Sequence, residues 1–137
     1  MSSIVIALPK IEDARKIRSV LERHGFAVAS VCSTASNALS SASELGSGVL
    51  ICGHRLPDMN YLDLAECMPR DFEMLLLASA RVICEVPPSI LLVEMPMKAS
   101  DLVNTVSMIL MQQERKRRRE KKKPKLRTEK EQNYISN

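Results

Sequence analysis

Five short runs of apolar residues punctuate this chain, at 3–8, 26–31, 49–52, 74–78 and 90–93. Each is too short for a helix, and Val, Ile and Leu stand side by side in them. They read as strands buried on both faces. Between the runs the apolar positions change period. Ile11, Ala14, Ile17 and Leu21 recur at helical spacing until Gly25, a natural helix stop, and His24 before it is placed to meet the terminal carbonyls. Ala35, Ala38, Leu39, Ala42 and Leu45 mark a second helix, with Thr34 as its cap and Gly46 as its end. Residues 61–67 predict a short third helix closed near Pro69. The link 79–89 contains Pro87 and Pro88, so a fourth helix is short or absent. Ser100 caps a last helix in which Leu102, Val103, Val106, Ile109 and Leu110 form a wide buried stripe.

Buried strands alternating with amphipathic helices imply parallel pairing, because each parallel return needs a crossover and a helix supplies it. Right-handed crossovers then cover both faces of the sheet. The expected fold is α/β: a doubly wound five-stranded parallel sheet in a three-layer sandwich over 1–113, with a basic helical extension after it. A chain of 137 residues, 45% hydrophobic, suits one such core. Ligands of such sheets bind beyond the carboxyl ends of the strands, so chemistry belongs in the loops after the first, third, fourth and fifth runs.

Charge divides the chain unevenly. Residues 114–131 hold eleven of the twenty Lys and Arg against four of the sixteen acids, a net of +7, and the rest of the chain carries −3. The globular part therefore offers no electrostatic case for nucleic acid. The candidates for nucleic-acid contact are Arg115, Lys116, Arg117, Arg118, Arg119, Lys121, Lys122 and Lys123. No aromatic interleaves them, so the simplest reading of 114–127 is a solvated linker whose nonspecific attraction for RNA falls steeply with salt. Glu114 and Arg118, like Lys116 and Glu120, stand at ion-pair spacing, so the last helix is expected to run outward until Pro124 stops it. The seam at 102, 106 and 109 gives way to Gln113, Lys116 and Glu120, which argues against a coiled coil. Thr128 and Glu131 make a capping box for a new helix over 128–137. A helix so short is unstable alone, so the chain reads as a fragment with a C-terminal domain cut off.

Several chemistries find no support. Cys32, Cys52, Cys67 and Cys84 lack the spacing of zinc or redox motifs and read as core residues of a reduced, cytoplasmic protein. No apolar stretch is long enough for a membrane span. Gly46 and Gly48 precede a strand, so they do not form a phosphate loop. Glu12, Asp13, His54, Asp58 and Glu94 fall near strand ends, but Glu12 and Asp13 suit the first turn of a helix and Asp58 suits a turn after Pro57. No catalytic residue, metal site or cofactor is expected, and the chain does not read as an enzyme.

The order of elements to about Leu110, the loop Arg55-Leu56-Pro57-Asp58-Met59-Asn60 and the turn Met95-Pro96-Met97 resemble the response-regulator receiver domain. That resemblance implies a flavodoxin-like strand order and a phosphoryl-accepting aspartate four residues before the loop proline. It also implies an acidic metal-binding pair after the first strand, a Thr or Ser ending the fourth, and a lysine before the proline that ends the fifth. Here those positions hold Gly53, Leu8 and Pro9, Ser79, and Met95 followed by Pro96. Acyl-phosphate formation needs a carboxylate nucleophile, a magnesium ion on hard oxygens and a cation for the phosphoryl oxygens. Only the Ser79 hydroxyl remains, so the resemblance implies a degenerate, pseudo-receiver domain with an apolar, metal-free pocket.

With its charged connector and the segment Thr-Glu-Lys-Glu-Gln-Asn-Tyr-Ile at 128–135, the chain is similar to bacterial regulators ending in an ANTAR domain, which bind RNA hairpins and prevent transcription termination. The expected function is a non-phosphorylatable receiver-like module that regulates an RNA-binding antitermination effector by protein contact. A freestanding dimerisation module is the alternative, with Met95, Met97, Met108 and Met111 forming an adaptable apolar surface around the last helix. An active phosphorelay receiver with an irregular site is the third reading. Expected partners are a protein or a second copy at the C-terminal helical face, with RNA bound through a further domain or weakly through the basic tail.

Overall fold

The computed structural model describes residues 3–83, 85–88, 90–95 and 98–136, with side chains of the last helix described to Arg119 apart from Arg117. Strands β1 (Ser3–Ala7), β2 (Val28–Cys32), β3 (Ser47–Gly53), β4 (Asp71–Ser79) and β5 (Leu91–Met95) alternate with helices α1 (Ile11–Arg23), α2 (Ala35–Leu45), α3 (Tyr61–Cys67), α4 (Ala80–Ile83) and α5 (Ala99–Ser136). The strands form one sheet in the order β2-β1-β3-β4-β5, and every neighbouring pair is parallel. This is the doubly wound, flavodoxin-like arrangement expected from the sequence, including a fourth helix of only four residues.

Successive strand residues point to opposite faces, so a strand covered on both sides must be apolar at every position. Ile4, Ile6, Leu8, Val49, Ile51, Leu75, Leu77 and Val93 pack on one face against Ala14, Ile17 and Leu21 of α1 and Leu102, Val106 and Ile109 of α5. Val5, Ala7, Leu50, Cys52, Met74, Leu76 and Ala78 pack on the other, against α2 and α3. The contribution of α2 is Ala35, Ala38 and Ala42, small residues that let its axis lie close to the sheet. Truncating any one of the fully buried leucines to alanine costs about 2–5 kcal/mol.

Local signals set the helix ends. The Thr34 hydroxyl accepts a hydrogen bond from the Asn37 amide at 3.2 Å, and the Asn60 side chain accepts one from the Asp63 amide at 2.9 Å. Gly46 closes α2 at φ 86°, a conformation that a Cβ disfavours. Gly48 has a second reason to be glycine: its φ is 152°, and a Cβ would collide with the Ser3 carbonyl oxygen where β1 and β3 lie together. The His24 ring nitrogen Nδ1 lies 2.9 Å from the Val20 carbonyl, as its place before Gly25 suggested.

Two expectations need correction. The helix was expected to stop at Pro124, but α5 continues past it to Ser136, with Thr128 and Glu131 inside it. A proline removes one backbone donor and crowds the preceding turn, and here strong helix formers on both sides keep the ladder going. Cys67, expected in the core, is exposed at the end of α3, whereas Cys32 and Cys52 are buried. Cys84 lies outside the described residues.

Candidate functional site

The carboxyl edge of the sheet is where the sequence placed the candidate chemistry. Ala7 of β1 pairs with Cys52 of β3, which brings Leu8 alongside Gly53. Gly53 follows Val49 and Ile51 in alternation, so a side chain there would enter the layer that holds α1 and α5. Leu8 already fills that space. An added Cβ at Gly53 would stand 3.2 Å from Leu8 Cδ2 and 3.7 Å from Pro9 Cδ. Leu8 is itself only 7% exposed, and its amide donates to the Cys32 carbonyl at 3.1 Å, which fixes the turn out of β1. Across the sheet Gly53 pairs with Leu77, and Leu77 pairs with Val93, so this level is apolar from β3 to β5.

Two residues further along β4, Ser79 pairs with Met95, and both are exposed. The fold therefore brings Leu8, Pro9 and Gly53 together and sets Ser79 beside Met95 at the sheet edge. Pro96 lies outside the described residues.

The loop after β3 is held from several sides. Leu56 is buried, its amide donates to the Met59 carbonyl at 3.0 Å, and Arg55 and Asn60 form an antiparallel bridge. The His54 ring sits 5.3 Å from that of Tyr61, centroid to centroid, and the buried Tyr61 donates its hydroxyl hydrogen to the Glu85 carbonyl at 3.4 Å. Asp58 does what sequence reasoning missed. Its carboxylate accepts from the Ala35 amide at 2.8 Å and the Ser36 amide at 3.0 Å, so it caps α2 from a loop 23 residues away. The Ala35 and then the Ser36 hydrogen bonds hold its carboxyl below the usual aspartate value. The available signal was the first turn of α2: Thr34 satisfies only the Asn37 amide, leaving two donors without a local acceptor.

The other polar candidates do not assemble with it. Glu12 and Asp13 occupy the first turn of α1, and Glu94 is exposed on β5. Among the described residues, no three His, Cys, Asp or Glu side chains are grouped to hold a metal ion. Burial pushes the Cys52 thiol up to about 12. Likewise, no described helix is long and apolar enough to cross a membrane.

The second candidate region is α5. Gln113 Nε2 donates to the Gly48 carbonyl at 2.8 Å and lies 3.4 Å from the Asp71 carbonyl, tying the helix to the starts of β3 and β4. Arg115, Lys116, Arg118 and Arg119 follow, all exposed, with Arg118 Nε 3.7 Å from Glu114 Oε1. The side chains of Arg117, Lys121, Lys122 and Lys123 lie outside the described set. A shallow groove of ≈ 280 Å³ runs along the helix between Asn104, Ser107, Met108, Met111, Gln112 and Arg115.

Neither a family model nor a curated protein matches this chain. Solved structures do. A signal receiver domain of an HD-domain protein from Pseudomonas fluorescens Pf-5 is 16% identical, covers 86% of this chain and 93% of its own, and superposes with a TM-score of 0.74. A structure described as adenylate cyclase from Rhodopirellula baltica is 15% identical over 88% of this chain and 95% of its own, at 0.73. A CheY-like receiver domain from Methanospirillum hungatei JF-1 is 12% identical over 83% and 98%, at 0.69. These likenesses define the class first: an α/β sandwich on a five-stranded parallel sheet. Within that class the chain has the receiver fold of response regulators.

Proposed function

We propose that this chain is a receiver-like signalling module that does not accept a phosphoryl group. It is a cytoplasmic, non-enzymatic regulator that acts by protein contact on an RNA-binding antitermination effector. The observation that carries the reading is the packing at the end of β3: Gly53 has no side chain, and Leu8 Cδ2 lies 3.2 Å from where its Cβ would be. A phosphorylatable site needs a carboxylate there with room for a hydrated cation beside it. Leu8, Pro9 and Met95 supply neither acid nor base around that point. The sequence likeness at 128–135 to ANTAR-type regulators supports the choice of an antitermination effector.

The test is incubation with a small-molecule phosphodonor and magnesium, followed by intact-mass analysis. The expected result is no adduct. A stoichiometric, acid-stable, hydroxylamine-labile acyl phosphate would overturn the reading.

A second reading, a freestanding dimerisation module, draws on Met108 and Met111, which are 44% and 55% exposed on α5. Light scattering decides it: a monomer mass independent of concentration removes it for this chain.

A further inference from the structure

The last helix changes character at Gln113. Before it, Leu102, Val106 and Ile109 are buried against the sheet, and Gln113 itself is fastened to the Gly48 carbonyl. After it, α5 continues to Ser136, roughly 35 Å further at about 1.5 Å per residue. No apolar side chain occurs from Gln112 to Lys123. That stretch has no apolar face to lie in a membrane interface and no knobs for a helical protein partner.

What it has is cations round the helix axis, with Glu120 the one acid between Arg115 and Lys123. Arg115, Lys116, Arg117, Arg118 and Arg119 are consecutive, and at about 100° per residue five neighbours go right round a helix axis. The four of them with described side chains are exposed. The Glu114–Arg118 pair is solvent-facing, 53% and 77% exposed, and such pairs are weak and readily exchanged. A rod that is positive all round matches a partner with anions on two sides. The groove of a nucleic-acid duplex has phosphates along both walls, and the B-form major groove, about 12 Å wide, admits a helix about 10–12 Å across. An acidic protein face offers anions on one side only.

We infer that residues 115–123 of α5 are a phosphate-backbone contact for double-stranded nucleic acid, made without reading sequence. The inference goes beyond the receiver-like reading and does not depend on it. Continuity of the helix carries it: the same residues on a coil form a solvated linker, whereas a helical backbone sets them at regular intervals along one axis.

The test is fluorescence anisotropy of the full 137-residue chain with a mixed-sequence DNA duplex and, separately, a bulged RNA hairpin. Both duplexes share the phosphate chemistry, and the tighter of the two identifies the source. Binding is expected at about 50 mM salt and should weaken about 10³-fold by 200 mM if about six phosphates are neutralised. Replacing Arg115, Lys116, Arg118 and Arg119 together by Gln should weaken binding more than about 100-fold at low salt and lower the log–log salt slope by about 3–4. Circular dichroism of that variant should show the native helix content and unfolding midpoint. No binding to either duplex at low salt, equal affinity for polyglutamate, or unchanged binding by the variant would each overturn the inference.

Discussion

Gly53→Asp tests the packing at the end of β3 most directly. Among the described residues positive φ is found at Gly25, Gly46 and Gly48 and not at Gly53, so alanine or aspartate can adopt the Gly53 backbone conformation. The Cβ alone must displace Leu8 Cδ2 from 3.2 Å, against a side chain that is 7% exposed. Mild overpacking of this kind costs about 1 kcal/mol, and replacing a glycine at a compatible position returns about 0.4–1 kcal/mol through the unfolded chain. Gly53→Ala is therefore expected within about 1 kcal/mol of the parent. The aspartate adds a carboxylate against Leu8 and Pro9 without a cation, which costs about 1–3 kcal/mol more.

The assay is urea unfolding at pH 4 and pH 7, with the slope checked for constancy. A carboxyl in that apolar position has its folded pKa raised above the unfolded value. The folded state then binds more protons between the two, so stability falls as pH rises through that window. Gly53→Asp should approach Gly53→Ala at low pH and fall about 2–3 kcal/mol below the parent at pH 7. Adding Leu8→Ala to Gly53→Ala should relieve the clash, with a coupling of about 1 kcal/mol. If Gly53→Asp is as stable as the parent at pH 7, or is stabilised by millimolar magnesium, the pocket accepts charge and the packing argument at the end of β3 fails.

Gly48→Ala should destabilise by about 3 kcal/mol or more, since the added carbon meets backbone atoms of Ser3, its nitrogen at 2.7 Å among them. An unchanged thermal midpoint would refute the close approach of β1 and β3. Asp58→Asn should lower the midpoint at neutral pH. The aspartate's lowered pKa makes its contribution fully present above the ordinary value of 3.8 and lost as pH falls through the folded one, so the parent–variant gap should close in acid. In a Cys84→Ser background, Cys67→Ser should abolish rapid reaction of the native protein with a disulfide reagent at pH 8. Cys52→Ser should leave it intact, because burial keeps that thiol protonated to about 12.

Much of the site was legible because it sits at strand ends. The apolar runs located the carboxyl edge once parallel pairing was assumed, and the resemblance to the receiver family, counted back from Pro57 and from the first helix, put Gly53, Leu8 and Pro9 there. The role of Asp58 was not legible. A turn aspartate after a proline looks the same in sequence whether it serves its own turn or reaches the amides of Ala35 and Ser36. The extent of β4 was underestimated for a related reason: Asp71 and Glu73 are exposed members of a strand whose backbone pairs with Ser47 and Val49.

The sequence by itself determined the kind and order of the elements, since hydrophobic period, caps and glycine stops act over a single turn or strand. Thr34, Gly46 and the α5 stripe are such signals. Tertiary structure decided which distant groups meet: Leu8 in the space above Gly53, Gln113 on the carbonyl of Gly48, and Asp58 on α2. Local patterns are written in neighbouring residues. Contacts between separate elements exist only after crossovers close and two faces of one sheet compete for the same volume.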